Sequence, residues 1–291
     1  MHDDLNLPPG LAGRVVHHRA GDIQVRAHHH AEVELNLVVR GTATYLLGER
    51  RYLLIPGTMT WLFPAQEHVL VNESADHELW WAVFSPAMVT QAARTAQARP
   101  LLYSDPPGEF SRRLATNPAH RLHTLFAEVK AAETRDAALA NAGLAYLLLL
   151  AWRAFLDSHD AVTATDVHPA IGKAALMLRA DPSAGDLTEL AGAVGLSPGH
   201  LSRLFKAQTG TSLSRYRNQQ RLHRFLLAYG SGQPTTALAA ALAAGFGSYA
   251  QFYRVFRQET GRAPAALPDQ AKNDSRGPAP SSIGVRSCRA R

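Results

Sequence analysis

Three histidines and one glutamate near the N-terminus have residue types and spacing suited to metal binding. His28, His30 and Glu34 lie at even steps along the chain, so on a β-strand their side chains share one face. His68 follows on a later segment, which would supply a neighbouring strand. Three imidazoles and a carboxylate favour Zn, Fe, Mn, Ni or Cu over Ca. The four residues are therefore a candidate site for a divalent transition metal, and the simpler alternative is that residues 28–30 are only a polar strand start.

The same residues resemble the two cupin motifs. The first stretch reads H-x-H-x3-E-x6-G from His28 to Gly41, and the second reads P-x3-H-x3-N from Pro64 to Asn72. The resemblance implies that the two His, the Glu and the third His converge on one site. The stretch also resembles sensor barrels in which such residues often persist without metal, and this resemblance implies no required cofactor.

Aromatic residues are concentrated in the same region, and two interpretations of them stay open. On one strand Trp80 and Phe84 share a face while Trp81 takes the other. They can fill a packed interior, or they can line a pocket for a small ligand. The candidate ligand contacts are His28, His30, Glu34, His68, Trp80 and Trp81.

Short β-type segments run from Val15 to about Phe84, separated by Gly and Pro. This spacing predicts a small antiparallel barrel or jelly roll. The segments are residues 25–30, 33–39, 43–47, 51–55, 60–63, 68–72 and 78–84.

Residues 87–160 have apolar positions at helical spacing, and 160–166 reads as a polar linker. The most apolar stretch, 137–156, is interrupted by Asn141 and Arg153, so a buried or subunit-facing helix is favoured over a membrane span. The Leu-rich part, Leu144–Leu150, suggests a homodimer, with a single-chain core as the competing account.

One helical pattern is written twice in the C-terminal half, at 187–210 and 236–261. Leu201–Gly210 maps onto Phe252–Gly261 with a constant shift of 51, and upstream the shift is 50. Each copy has the sequence pattern of a helix-turn-helix: a first helix, a turn that contains Gly, and a second helix. In the first copy Ser197 is the expected N-cap of that second helix.

The outward face of each second helix is small, polar and cationic, which suits a DNA major groove. The candidate DNA contacts are His200, Ser202, Arg203 and Lys206 in the first copy and Gln251, Arg254 and Arg257 in the second.

Residues 168–267 resemble the two-module DNA-binding domain of AraC/XylS-family transcription regulators. The resemblance implies that a long helix, here 215–229, joins the modules and that two recognition helices enter successive major-groove faces. It also implies a small effector in the N-terminal barrel and contact with RNA polymerase.

Charge and cysteine content agree with this interpretation. Residues 1–160 have a net charge of −3, whereas 161–291 have +9, as phosphate neutralisation requires. The single cysteine, Cys288, excludes a disulfide framework. The acidic N-terminus lacks an apolar signal segment, so cytoplasm is the expected location.

We therefore expect an α+β regulator that binds double-stranded DNA and is not an enzyme. The expected parts are a cupin-like antiparallel β-barrel (1–86), a helical connector (87–166), an all-α domain with two helix-turn-helix modules (167–268) and a disordered basic tail (269–291). The alternatives are a metal-dependent cupin enzyme with a helical appendage and a protein-interaction scaffold.

Overall fold

The computed structural model describes residues 7–20, 32–64, 66, 68–230, 236–260 and 263–264. Seven of the described strands come before the first helix and two short ones lie between helices, which confirms the predicted α+β class. Candidates His28 and His30 and the predicted tail, 269–291, lie outside the described residues.

The described residues form nine strands. They are β1 Gly13–Arg19, β2 Val33–Arg40, β3 Ala43–Leu47, β4 Arg50–Leu54, β5 Thr58–Leu62, β6 His68–Glu73, β7 Glu78–Phe84, β8 Ser111–Arg113 and β9 Thr165–Asp166. Six predicted β-type segments correspond to β2 to β7, and the seventh, 25–30, lies outside the described residues. Strands β1, β8 and β9 are not among the predicted segments.

The strands form two antiparallel sheets instead of one closed barrel. The larger has the order β1-β7-β2-β5-β8 and the smaller β6-β3-β4-β9. Val38 and Leu62 of the larger sheet share an apolar cluster with Tyr45, Tyr52 and Leu54 of the smaller one, so the sheets face each other. Within the described ranges no strand pairing joins them. The domain is therefore the two-sheet alternative to a barrel.

Nine α-helices and one 3-10 helix, Ala96–Leu102, are defined in the described ranges. The α-helices are α1 Pro86–Ala92, α2 Thr116–Ala132, α3 Ala137–Asp157, α4 Pro169–Ala180, α5 Leu187–Ala193, α6 Pro198–Thr209, α7 Leu213–Gly230, α8 Ala237–Ala243 and α9 Tyr249–Thr260.

Helix α3 is the central helix of the connector. Asp136 caps its start by accepting from the amides of Ala138 and Leu139 at 2.9 and 3.0 Å. By length and composition α3 could cross a membrane. One face, however, packs Leu144, Leu147 and other apolar residues into the core between α2 and the larger sheet. That packing makes it a core helix of this fold.

The predicted linker is part of the smaller sheet. Its last residues form β9, in which Thr165 and Asp166 pair with Arg51 and Arg50 of β4. The amide of Val167 then donates to the carbonyl of Glu49 at 2.7 Å. The entry into α4 is therefore held against the sheet by backbone hydrogen bonds.

The helices after the linker share a core with the outer face of the smaller sheet. Leu46, Val69 and Val71 of the sheet belong to one buried cluster with Ile171 and Leu178 of α4. The same cluster reaches α5 and α6. Burying an aliphatic side chain of this size stabilises the fold by about 1.5–3 kcal/mol, so this contact fixes the first helix-turn-helix against the β-domain.

Candidate nucleic-acid interface and polar interior

The first helix-turn-helix consists of α5 and α6, and its ends are defined by caps. Asp186 and Glu189 form a reciprocal capping box at the start of α5. Gly195 has φ +74° in the turn, a conformation that a residue with a Cβ adopts only under strain. Ser197 Oγ then accepts from the amide of His200 at 3.4 Å, which confirms the predicted N-cap of α6.

The second module, α8 and α9, has helix caps and a Gly turn at the corresponding positions. Thr236 caps α8, Gly245 in the turn has φ +93°, and Ser248 Oγ accepts from the amide of Gln251 at 3.2 Å. The backbone bond across the turn is also repeated, because Leu196 N donates to Ala191 O and Phe246 N donates to Ala241 O. The duplication seen in the sequence is therefore a duplication of structure.

Both second helices present the predicted cations to solvent. Leu201 and Phe205 of α6, and Phe252 and Phe256 of α9, are buried as predicted. The outward residues His200, Arg203, Lys206, Arg254 and Arg257 are exposed, whereas Ser202 and Gln251 are half-buried. An exposed Arg or Lys on a helix can donate to base edges or phosphates.

Gln251 already has a partner within the protein. Its Oε1 accepts from the backbone amide of Gly247 at 3.0 Å, so the side chain folds back over the turn before α9. A contact to a base through its Nε2 would keep this bond, because the amide nitrogen donates independently of the oxygen.

The long helix α7 joins the modules through its arginines. Arg215 contacts Glu259 of α9 at 3.1 and 3.3 Å, a two-bond pair between modules. Further along, Arg217 donates to Gly185 O at 2.8 Å and Arg221 to Pro182 O at 3.2 Å. These arginines of α7 therefore brace α9 and the segment before α5.

The core of the second module depends on phenylalanines. Helix α8 contributes mainly small residues, such as Ala240 and Ala241. Phe225 of α7 fills the space beside them and lies with its ring centroid 4.3 Å from that of Phe252. It is fully buried. Large aromatic side chains from α7 and α9 thus supply the volume that an Ala-rich helix lacks.

Hydrogen bonds connect helices α4 and α6 to the β-domain. Arg51 of β4 donates from Nη1 to Gln208 O near the end of α6 at 2.8 Å. Arg179 of α4 donates to the backbone carbonyl of His68 in β6. The contact at Gln208 lies at the C-terminal end of α6, so His200 and Arg203 stay exposed.

Polar side chains lie between the two sheets, and Glu34 and His68 are among them. Asn36 Nδ2 donates to Glu34 Oε1 at 2.7 Å, and Tyr45 Oη donates to Asn36 Oδ1 at 3.2 Å. His68 Nε2 lies 3.8 Å from Glu34 Oε2. Burial, and next the Glu34 carboxylate, raise the pKa of Tyr45 well above its usual range. Two of the four predicted metal-type residues are therefore adjacent inside the domain.

The structure separates the two candidate tryptophans. Trp81 pairs with Asn36 across β7 and β2, so it shares the face of Glu34 and lies half-buried between the sheets. Trp80 faces the helices instead, where it stacks on Phe126 and donates from Nε1 to His123 Nδ1 at 2.8 Å. Trp80 therefore packs in the core and does not line the interior with Glu34 and His68.

An open cleft of about 830 Å³ lies between β8, the start of α2 and the end of α3. Apolar Leu122 and Leu150 and the cations Arg113, Arg121 and Arg153 contribute to its lining. The sequence offers no signal for it, because its walls come together only in the tertiary structure. A cleft of this size and mixed lining can accept a small molecule.

Two family models match this chain. The model of an AraC-like ligand-binding domain matches residues 12–149, and that of a helix-turn-helix domain matches residues 190–270. The chain belongs to the AraC/XylS family. This AraC-type protein is therefore a helix-turn-helix DNA-binding transcription regulator with an N-terminal ligand-binding domain.

Solved structures with some similarity to this AraC-type chain include ToxT and CuxR. ToxT from Vibrio cholerae (P21 form) is 14% identical, with 87% of this chain and 97% of that chain covered and a TM-score of 0.38. The AraC-like transcriptional activator CuxR is 13% identical, with 80% of this chain and 78% of that chain covered and a TM-score of 0.34. No curated protein sequence matches the chain.

Proposed function

We propose that this regulator reads an operator with two helices, α6 and α9. The observation that carries the proposal is the repetition of one capped, Gly-turned module whose second helix exposes cations in both copies. Arg and Lys side chains neutralise phosphates and supply most of the affinity, and the outward residues discriminate between bases. The proposed contacts are His200, Ser202, Arg203, Lys206, Gln251, Arg254 and Arg257.

Selection of bound sequences from a random pool of duplex DNA tests this proposal. We expect recovered sites with two half-elements about one helical turn apart, because the two modules enter successive major-groove faces. Affinity for the selected duplex should fall steeply as salt rises, since each neutralised phosphate releases counterions. Recovery of random sequences, or binding insensitive to salt, would refute it.

We further propose that the space between the sheets receives the effector. Glu34, His68 and Trp81 lie on this interior. The contact from Arg179 to the His68 carbonyl supports a route to the DNA-binding region, since a ligand that moves β6 must also act on α4. Such coupling requires that the ligand bind the two arrangements with different affinity. The cleft beside β8 is the second candidate, because it offers open volume.

A screen of small molecules by thermal shift distinguishes the two effector sites. A hit whose effect is lost in Trp81→Ala and retained in Arg121→Ala supports the interior. The reverse result assigns the hit to the cleft, and a hit affected by neither variant contradicts both. The candidate metal site at His28, His30, Glu34 and His68 has its own test, elemental analysis of protein purified without a His-tag.

We propose a homodimer, contact with RNA polymerase and a cytoplasmic location for this regulator. The dimer is supported by apolar residues on the open face of α3, where Leu139, Tyr146 and Leu149 recur at helical spacing and are exposed. We propose no catalytic activity. We also propose functional boundaries near residues 86, 166 and 268.

A further inference from the structure

A second group of metal-ligand side chains lies where the edges of the two sheets meet. His18 is near the end of β1, Glu73 is the last residue of β6, and His77 follows in the turn to β7. One ligand atom from each lies within 4.8 Å of the other two. The sequence has no signal for the group, because 55 residues separate His18 from Glu73.

Both imidazoles point at a single carboxylate oxygen. His18 Nε2 is 2.9 Å and His77 Nδ1 is 3.1 Å from Glu73 Oε2. In a tetrahedral zinc site with bonds of about 2.0–2.1 Å, ligand atoms are separated by about 3.3 Å. The two distances from an imidazole nitrogen to the carboxylate oxygen are thus near zinc spacing, and the two nitrogens lie within 4.8 Å of each other.

Burial of the two imidazoles favours specific metal binding over adventitious binding at the surface. The side chains of His18 and His77 are 2% and 0% exposed, whereas that of Glu73 is 26% exposed. The two imidazoles are held within the protein, and the carboxylate side opens to solvent. That opening provides an entry path and a fourth coordination position for water.

We propose that His18, Glu73 and His77 form a Zn²⁺ site that ties the edge of the larger sheet to the edge of the smaller one. Two imidazoles and one carboxylate are a ligand set that zinc uses in proteins. The site is separate from the candidate set at His28, His30, Glu34 and His68. It would form whether or not the protein is bound to DNA.

Hydrogen bonds now hold the group together. Zn²⁺ would replace the imidazole protons that face Glu73, so binding would release protons. His77 Nε2 is buried and has no hydrogen-bond partner among the described residues, so the hydrogen bond of this ring is the one to Glu73.

Titration of the full-length, tag-free protein with Zn²⁺ against a chromophoric chelator tests the proposal. His28→Ala/His30→Ala serves as the background, because it removes the competing motif. We expect this background to bind about one equivalent of Zn²⁺ per chain. Adding His18→Gln or His77→Gln should abolish that binding, while adding His17→Gln, the neighbour on the opposite strand face, should leave it unchanged.

A spectrum of the Co²⁺-substituted background protein keeps the test decisive if a histidine variant fails to fold. Two imidazoles, one carboxylate and one water should give the strong visible bands of four-coordinate Co²⁺. Binding under about a tenth of an equivalent, a weak six-coordinate spectrum, or folded His18→Gln and His77→Gln variants that bind like the background would each overturn the proposal. In that case the three residues form only a hydrogen-bonded contact between the two sheets.

Discussion

Arg179 of α4 donates a hydrogen bond to the backbone carbonyl of His68 in β6, while the His68 side chain lies beside Glu34 between the sheets. One residue of the β-domain therefore contacts both the polar interior and the first helix of the DNA-binding region. The cluster of Val69, Val71 and Ile171 surrounds this connection with apolar packing.

Arg179→Ala should loosen the contact between the β-domain and α4. A hydrogen bond from a charged donor contributes about 1.5–3 kcal/mol, so we expect unfolding free energy to fall by about that amount. Amides of β6 and α4 should exchange with deuterium faster. Arg94→Ala is the matched control, because Arg94 makes an exposed bond to the carbonyl of nearby Gln91. Unchanged exchange in β6 would contradict the prediction.

Arg203→Ala and Arg254→Ala should each weaken binding to a selected operator. Loss of a base-reading Arg costs about 1–3 kcal/mol and relaxes preference at one position. Fluorescence anisotropy on matched and mismatched duplexes measures both effects. Arg153→Ala removes the same charge from α3, far in sequence from either module, and should bind like wild type. Wild-type affinity in both test variants would show that these residues do not read DNA.

Leu149→Glu should convert the proposed dimer into a monomer. The side chain is 43% exposed on α3, so a charge there is solvated in the monomer but costly in an apolar interface. Light scattering after size exclusion gives the mass directly. Leu53→Glu is the control, because it places the same charge on another exposed apolar residue, in β4 and outside α3. A monomeric wild type, or a dimer that survives Leu149→Glu, would exclude this interface.

His223 should make stability fall as the solution is acidified. Burial, and next the charge of Arg179, lower its pKa to about 4 in the folded protein, against 6.5 as the ordinary value. Between these values the unfolded chain takes up a proton that the folded protein does not, so stability is lost as pH falls through this window. The linkage is worth about 2 kcal/mol between pH 7 and pH 5.

Urea unfolding of wild type and His223→Gln at both pH values measures this effect. The variant should lose about 2 kcal/mol less than wild type on acidification. A comparison at pH 8, where the wild-type imidazole is neutral in both states, isolates the packing effect of the substitution. Parallel pH profiles for the two proteins would mean that the His223 pKa is not lowered.

Phe225→Ala should unfold the second module selectively. Removal of a buried Phe costs about 3–5 kcal/mol, and the residues that α8 buries in this cluster are alanines, which do not fill the space. Deuterium exchange should rise in α8 and α9 before it rises in α5 and α6. Leu238→Ala, at an exposed position of α8, is the control. Equal protection of both modules in Phe225→Ala would show that the second module does not depend on this ring.

Features that depend on a few adjacent residues were predictable from the sequence. The duplicated turn glycines, the Ser197 cap and the inward Leu201 and Phe205 follow from local geometry and helical periodicity, and the structure confirms them. The alternation in β7 likewise predicted that Trp80 and Trp81 face opposite ways. Alternation alone does not tell which face meets the helices and which meets the other sheet.

Only the tertiary structure decided which distant segments meet. It separated the strands into two sheets, made the linker part of the smaller sheet, and placed Arg179 against His68. It also brought His18 to Glu73 and His77. These contacts join residues that are far apart in the chain, and packing of whole sheets and helices sets them, so neither spacing nor periodicity carries a signal for them.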